Sequence, residues 1–394
     1  MRQDYFEFSN NVKILSGEGA IDQLATLLPR LGGYRVFIVS DNVIKKTGHL
    51  DSVKKAISSV KELAIGGEYL NVESTCTIKD LDDMYLAFRK SGADAIVGVG
   101  GTRVMNAAKA LYLLISTKSK SIVDFRGIDA AVRTNYIPFF LIPTTFGSGG
   151  EVSKTIVVID EEHNEPIEIV TGALQPHYCL LEPEFLKTLP EKEIYMSLID
   201  IMAYTIESYI STRATPLTRS FSKMAMFLVK DNFQKGITEG DIDSLTNLQQ
   251  AAVIAAIAYS NTYTGIAHAV ANTLAAKFNM HRGEAICATL RAILDDLKEL
   301  CKDKFSEMLL YYRGTQEYAT ITNDERCEVF IRVINNIIER LAEHYGVKTK
   351  LSDYGVKEED LEPLAEAVLT AGEIIVCPKQ YKKEEVVEIL RKSL

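Results

Sequence analysis

The chain has 394 residues, 47% of them hydrophobic, and a formal net charge of −9. That length supplies apolar material for two cores, and hence for two domains. No run of lysine or arginine is dense enough to track a phosphate backbone, which excludes nucleic acid as an expected partner. The stretch MRQDYFEFSNNVKIL has no apolar core of a secretory leader, and no later apolar run approaches the roughly 20 residues that cross a bilayer. A cytoplasmic protein without membrane contact is therefore expected. The six cysteines are scattered with no CxxC pair, which reads as reduced thiols and not as a disulfide framework or a cysteine zinc site.

In chain order, the first half alternates short apolar runs with amphipathic stretches. RVFIVSD (35–41), AIVGVGG (95–101), FFLIPTT (139–145) and TIVVID (155–160) are predicted strands, each closed by Gly, Pro, Asp or Thr. Helical patterns over 51–60, 81–91 and 105–114 lie between them. Strand, crossover helix, strand is the signature of a doubly wound parallel sheet covered on both faces. After CLLEPEFLKTLPEKE the character changes. From Ile194 onward the sequence is helix-periodic, alanine-rich and poor in β-branched clusters, and Pro183 and Pro190 punctuate the change. The expected organisation is an α/β domain over 1–183, Rossmann-like in its sheet, followed by an all-helical domain over 184–394.

Two loops in the first half carry ligand-binding chemistry. GVGGTRVMNAAKALYLL follows a predicted strand and opens a helix, so Gly100 and Gly101 let a phosphate approach bare backbone at a positive helix end. A tight turn with no ligand is the alternative. IPTTFGSGGEVS places Thr144, Thr145 and Ser148 beside three glycines at the end of another strand, where open α/β sheets hold diphosphates and riboses. Asp41, at the end of the first predicted strand, suits a ribose 2′-hydroxyl and would repel a 2′-phosphate, favouring NAD over NADP; capping the next helix is an equal reading.

In the second half, SLIDIMAYTIESYIST puts Asp200, Tyr204 and Glu207 on one helical face. With His268 on another helix, Asp200 offers a divalent metal an oxygen and a nitrogen. Two protein ligands are too few for a closed site, and each residue alone has a structural reading: a helix N-terminal carboxylate and a hydrogen-bonded interior histidine.

Taken in order, VSDNVIKKTG, GVGGTRVMNAAKA, IPTTFGSGGEVS, LIDIMAYTIESYISTRATPLT, YSNTYTGIAHAVAN, HRGEA and CPKQYKKEEVVEIL resemble the iron-containing alcohol dehydrogenase family. The resemblance implies a dinucleotide-binding α/β domain and an all-helical domain, with the active-site cleft between them, NAD or NADP as cofactor, a small alcohol or aldehyde substrate, and a homodimer. Its phosphate loop, GGGSxxDxxK, corresponds here to Gly100, Gly101, Thr102, then Asn106 and Lys109, so Thr102 stands for a glycine and Asn106 for an acid near the nicotinamide ribose. The family's metal set of one Asp and three His corresponds to Asp200, Tyr204, His268 and Arg282, which removes two of four ligands. Asn272 replaces a second histidine that the resemblance assigns to substrate or proton handling.

Three expectations follow. In the first, Arg282 and the Tyr204 hydroxyl stabilise the reacting oxygen without a tightly held metal, His268 or His281 moves the proton, and an anionic phosphonate, phosphate or carboxylate aldehyde is a suitable substrate. Arg282 itself cannot bind a metal, because a guanidinium has no lone pair to offer. In the second, Fe²⁺ or Zn²⁺ persists on Asp200, His268, His281 and water. In the third, the chain is a catalytically silent relative that binds a nucleotide or acts as an oligomeric scaffold.

Overall fold

The computed structural model describes residues 5–72, 75–128, 131–163 and 165–394, with the side chains of 237 and 238 left aside. The chain divides into two compact units, Phe8–Leu189 and Pro190–Leu394, and residues 5–7 group with the second.

In the first unit, β1 (Lys13–Ser16), β2 (Arg35–Val39), β3 (Ala64–Tyr69) and β4 (Ala95–Gly100) join β6 (Phe139–Pro143) and β9 (Tyr178–Leu181) in one sheet. The spatial order is β1-β9-β6-β4-β2-β3, and every pairing is parallel. Parallel sheets need both faces covered, and the strands meet this need residue by residue. Phe37, Val39, Ile96, Phe139 and Leu141 enter the core on one face. Their neighbours Val36, Ile38, Val97, Phe140 and Ile142 enter the core on the other. The covering helices are α1 (Leu24–Arg30), α2 (Asn42–Thr47), α3 (His49–Ser58), α4 (Ile78–Ser91) and α5 (Thr102–Thr117). Helix α5 lies so close to β4 that a Cβ on Gly98 would stand 2.9 Å from Cβ of Ala108.

After β3 the chain returns to the opposite side of β2 to form β4. That reversal is the switch point at which open α/β sheets bind ligands beyond their carboxyl strand ends. Asp41 follows β2 there, and Gly100 and Gly101 close β4.

One predicted strand is corrected. TIVVID does form a strand, β7 (Thr155–Asp160), but it pairs antiparallel with β8 (Glu165–Val170), and β8 pairs with the short β5 (Gly127–Ile128) in a separate three-stranded sheet. The reason is in its burial, which alternates along β7 as a one-faced strand requires, whereas β4 and β6 are buried at every position. The runs that became β1, β3 and β9 carried no strand expectation; β3 reads AIGGEY, and its two central glycines hide the pattern.

The second unit is helical: α6 (Glu191–Ile210), α7 (Pro216–Thr238), α8 (Ile242–Thr262), α9 (Ile266–Phe278), α10 (Arg282–Leu297), α11 (Lys302–Thr320), α12 (Arg326–Tyr345), α13 (Leu361–Thr370) and α14 (Lys383–Lys392). All residues of α6 from Ile194 to Ile210 are buried, so this helix is the axis of the unit and not an amphipathic cover. Among the described residues no helix is long and apolar enough to cross a membrane.

One histidine ties sheet register to pH. The backbone N–H of His177 donates to the carbonyl of Phe139 at 2.9 Å, and the N–H of Phe139 donates back to Nδ1 of His177 at 3.1 Å. Burial, with help from Arg133, pushes the ring from 6.5 down to about 4. Protonation would abolish the acceptor, so the native state resists it while the unfolded chain takes it up. Stability is complete above pH 6.5 and falls as the pH drops toward 4. The His177→Leu variant should be less stable by about 1–3 kcal/mol at pH 7.5, because a buried N–H loses its acceptor. Denaturant unfolding across this pH range should also be flatter in the variant than in wild type.

Candidate active site

The loops after β4 and β6 meet. Gly100 is opposite Pro143 in the ladder, and the N–H of Thr144 donates to the Gly100 carbonyl at 3.1 Å. Oγ of Thr102 donates to Oγ of Ser148 at 2.9 Å, so the threonine that replaces a glycine links the two loops. Gly101 is the N-cap of α5 and provides no side-chain cap, which leaves the first-turn amides of a 16-residue helix available to an anion. Oγ1 of Thr144 is buried without a partner among the described residues. Thr145 borders the turn, its Oγ1 3.4 Å from where a Cβ of Gly101 would stand. Together these features fit a diphosphate. Asn106, one turn into α5, is half-buried. Asp41 caps α2, its Oδ1 accepting from the N–H of Ile44 at 2.8 Å.

Beneath these loops lie two buried ionisable groups, Lys109, which the resemblance set in the phosphate-loop motif, and Glu151, which the sequence did not announce. Lys109 is wholly buried, and its Nζ donates to the carbonyl and Oγ of Ser153 at 2.9 and 2.8 Å and to the carbonyl of Thr155 at 3.3 Å. Burial, opposed by Glu151, pushes Lys109 down to about 7. Burial also pushes Glu151 up to about 7, opposed by a backbone hydrogen bond and by Lys109. The lysine fastens the loop after β6 to α5.

In the helical unit, Asp200 and Arg282 form a salt bridge: Nε of Arg282 lies 3.3 and 3.2 Å from the two carboxylate oxygens, and Nη2 bonds Oδ2. Close helix packing produces this pairing. A Cβ on Gly283 would stand 3.0 Å from the carbonyl oxygen of Met196, so the start of α10 rests directly on α6, one turn before Asp200. Burial works to raise the Asp200 carboxyl, but the charge and hydrogen bonds of Arg282 hold it below the ordinary value. Arg282 stays charged, since Asp200 outweighs the effect of burial. Its bonds use Nε and Nη2; Nη1 has no partner among the described residues, and the side chain keeps 22% exposure.

Tyr204, one turn after Asp200, is stacked between Tyr259 at 4.2 Å and the ring of His268 at 3.8 Å, with the Arg282 guanidinium 5.6 Å from its centroid. Burial drives its hydroxyl well above the ordinary value, opposed by Arg282, so it remains a donor. His268 is buried, its Nδ1 2.5 Å from Oε2 of Glu207 and its Nε2 without a partner among the described residues. Asn272 donates through Nδ2 to Oε1 of Glu373 at 3.0 Å, and burial raises the Glu373 carboxyl.

His281 is elsewhere in character. It is the N-cap of α10, Nδ1 accepts from the N–H of Gly283 at 3.2 Å, and Nε2 lies 3.8 Å from Glu193 with the side chain 42% exposed. The structure thus groups Asp200, Tyr204, His268 and Arg282 and does not bring His281 into a ligand set with Asp200 and His268. Among the described residues no cluster of three or more His, Cys, Asp or Glu side chains is arranged to hold a metal ion. Asp200 already has a cationic partner, and a guanidinium beside it opposes a dication. The residues present do not fit a bound metal.

Sequence patterning placed Glu207 on the right helical face without giving it a role. Tyr259 and Glu373 carried no signal, the latter standing 101 positions from the asparagine it binds.

A parallel-sheet unit with an uncapped βα turn, followed by a helical unit with an Asp–Arg–Tyr–His cluster, is consistent with a dehydrogenase-type oxidoreductase. The chain belongs to the iron-containing alcohol dehydrogenase family, whose model matches residues 11–183 and whose C-terminal model matches residues 194–394. The chain is 24% identical over 392 residues to the NAD-dependent methanol dehydrogenase of Bacillus methanolicus, covering 96% of this chain and 97% of the relative. It is 26% identical over 383 residues to the sulfoacetaldehyde reductase of Bilophila wadsworthia, covering 96% of each. The crystal structure of a 1,3-propanediol oxidoreductase superposes with a TM-score of 0.92 at 22% identity, over 99% of this chain and 100% of that one. The sulfoacetaldehyde reductase of Bifidobacterium kashiwanohense in complex with NAD⁺ gives 0.84 at 20% identity over 99% of each chain.

The ion pair is open to a double-mutant cycle. Arg282→Met leaves Asp200 buried and unpaired and should cost roughly 3–5 kcal/mol in denaturant unfolding. Combining it with Asp200→Asn should recover most of that loss, giving a coupling energy above about 2 kcal/mol.

Proposed function

We propose that this chain interconverts an alcohol and an aldehyde or ketone with NAD(H), and that Arg282 and Tyr204 stabilise the reacting oxygen where a bound metal is the family pattern. The observation that carries this reading is the Asp200–Arg282 salt bridge with Nη1 left free. A bound nicotinamide supplies or accepts the hydride. The uncapped start of α5 and the Thr102–Ser148 link support a diphosphate there, and Asp41 at the switch point supports NAD over NADP, as do the NAD-dependent methanol dehydrogenase and the NAD⁺-bound reductase among the relatives.

At the reacting carbon, Nη1 of Arg282 and the Tyr204 hydroxyl donate to the oxygen as its negative charge develops. Preorganised donors held in a poorly solvated place act more strongly than the same groups in water. Asp200 fixes the direction of the guanidinium and balances its charge. His268 handles the proton of the hydroxyl.

That charge balance bears on substrate class. With Asp200 beside it, Arg282 is a donor to a developing oxyanion more than a standing site for a carboxylate or phosphonate, which favours small neutral carbonyl compounds. Anionic aldehydes remain the second reading, supported by the free Nη1 and by the two sulfoacetaldehyde reductases.

The test is steady-state reduction by NADH of a neutral and an anionic aldehyde. Arg282→Lys, which keeps the charge beside Asp200, and the Asp200→Asn/Arg282→Met pair should each lower kcat/KM by about 10²–10³-fold, the loss seen when one oxyanion donor is removed. NADH binding should be unchanged. Unaltered turnover in both variants would refute the role of Arg282, and a wild-type protein that binds no nicotinamide dinucleotide would favour the silent relative.

A further inference from the structure

Glu207, three positions beyond Tyr204 on α6, meets the cluster through His268. Its carboxylate is 5% exposed. Oε2 lies 2.5 Å from Nδ1 of His268, while Oε1 accepts the N–H of Ala267 at 2.6 Å and reaches the N–H of His268 at 3.4 Å. Both amides belong to the first turn of α9, whose own N-cap, Gly265, has no side chain to offer. A carboxylate from another helix therefore does the capping, and it lowers the energy of the negative charge it brings to a positive helix end. Gly265 makes the approach possible, because a Cβ there would stand 3.0 Å from Oε1.

This arrangement dictates the chemistry of the imidazole. A carboxylate oxygen presents only lone pairs, so against Oε2 it is Nδ1 of His268 that carries the hydrogen between them. In the neutral ring Nε2 is then the bare nitrogen. It is buried without a partner among the described residues, and stacking on Tyr204 at an interplanar angle of 16° keeps the ring from turning. A buried polar atom left unpaired at such a cost is explained when a substrate hydroxyl completes it.

Resting on the dehydrogenase reading above, we propose that Glu207 is a positioning residue: by accepting from Nδ1–H it holds His268 in the single tautomer whose Nε2 exchanges a proton with the substrate oxygen. In oxidation, the alcohol O–H bond breaks toward Nε2 and gives an imidazolium as the carbonyl forms; the electron pair of the carbon–hydrogen bond would pass, as a hydride, to the oxidised nicotinamide that the proposed function takes as co-reactant. Reduction runs the same transfers backward, and Glu207 keeps accepting from Nδ1–H throughout.

The experiment uses the full-length protein labelled with ¹⁵N-histidine, with His268→Gln to assign the signals, and long-range ¹H–¹⁵N correlation to read the tautomer. Wild type should show Nδ1 protonated and Nε2 bare. In Glu207→Gln the amide can donate to Nδ1, so the single tautomer should be lost and kcat should fall about 10²-fold, with NADH affinity unchanged. Glu207→Asp, which keeps the carboxylate, should retain the tautomer and lose less activity, and it decides the matter if the glutamine variant does not fold. A wild-type Nε2–H tautomer would overturn the proposal, as would Glu207→Gln with tautomer and kcat both unaltered. An inert wild-type enzyme would overturn the dehydrogenase reading instead, and the tautomer would still decide whether Glu207 sets His268.

Discussion

The salt bridge between Asp200 and Arg282 is the constraint on which the helical unit's chemistry depends. A carboxylate in the middle of a helix buried along its whole apolar length is expensive unless a partner compensates it, and an unpaired one would carry a penalty of several kcal/mol. Arg282 meets the need with two nitrogens and cannot leave without exposing that cost. The guanidinium is consequently a fixed group and not a mobile surface charge. Its third nitrogen points away from the pair, Tyr204 lies against it, and the tyrosine in turn holds the ring of His268 flat.

The pairing follows from how the helices pack. Gly283, the residue after Arg282, allows α10 to touch the backbone of α6, and Gly265, before α9, lets Glu207 reach the amides of the next helix. Both glycines serve close approach and not unusual torsion. The same economy operates in the sheet unit, where Gly98 seats α5 on β4 and Lys109 fastens the loop after β6 beneath the turn proposed to bind a diphosphate. In each unit the groups proposed to react or bind are held by a buried polar contact directly behind them, and that second layer makes them rigid.

Much of the fold was legible because periodicity records burial. β4 and β6 are continuous apolar runs since both faces are covered, and α4 shows the helical period because only one side is. TIVVID misled because a short strand of β-branched residues has the same composition in a parallel sheet and in a hairpin; the distinction lies in its partner, which local sequence does not state. β3 was lost behind its glycines. In the candidate site, the helical spacing of Asp200 and Tyr204 and the glycine turn at Gly100 and Gly101 were readable, as was the lone pair that Arg282 lacks. The contacts of Glu207 with His268 and of Glu373 with Asn272 were not, since they join residues 61 and 101 positions apart through tertiary packing alone. The same limit applies to His281, whose use as the cap of α10 depends on a backbone turn that its neighbours in sequence do not announce.

The central claim is that a guanidinium has taken the place of a metal. It is tested most directly by metal stoichiometry: wild type is incubated with Fe²⁺ or Zn²⁺, desalted and measured by inductively coupled plasma mass spectrometry, beside the Tyr204→His/Arg282→His variant that restores the family's one-Asp, three-His pattern. The account predicts far less than one metal per chain in wild type and about one in the variant. About one metal per wild-type chain, lost on changing His268 to Ala, would contradict it.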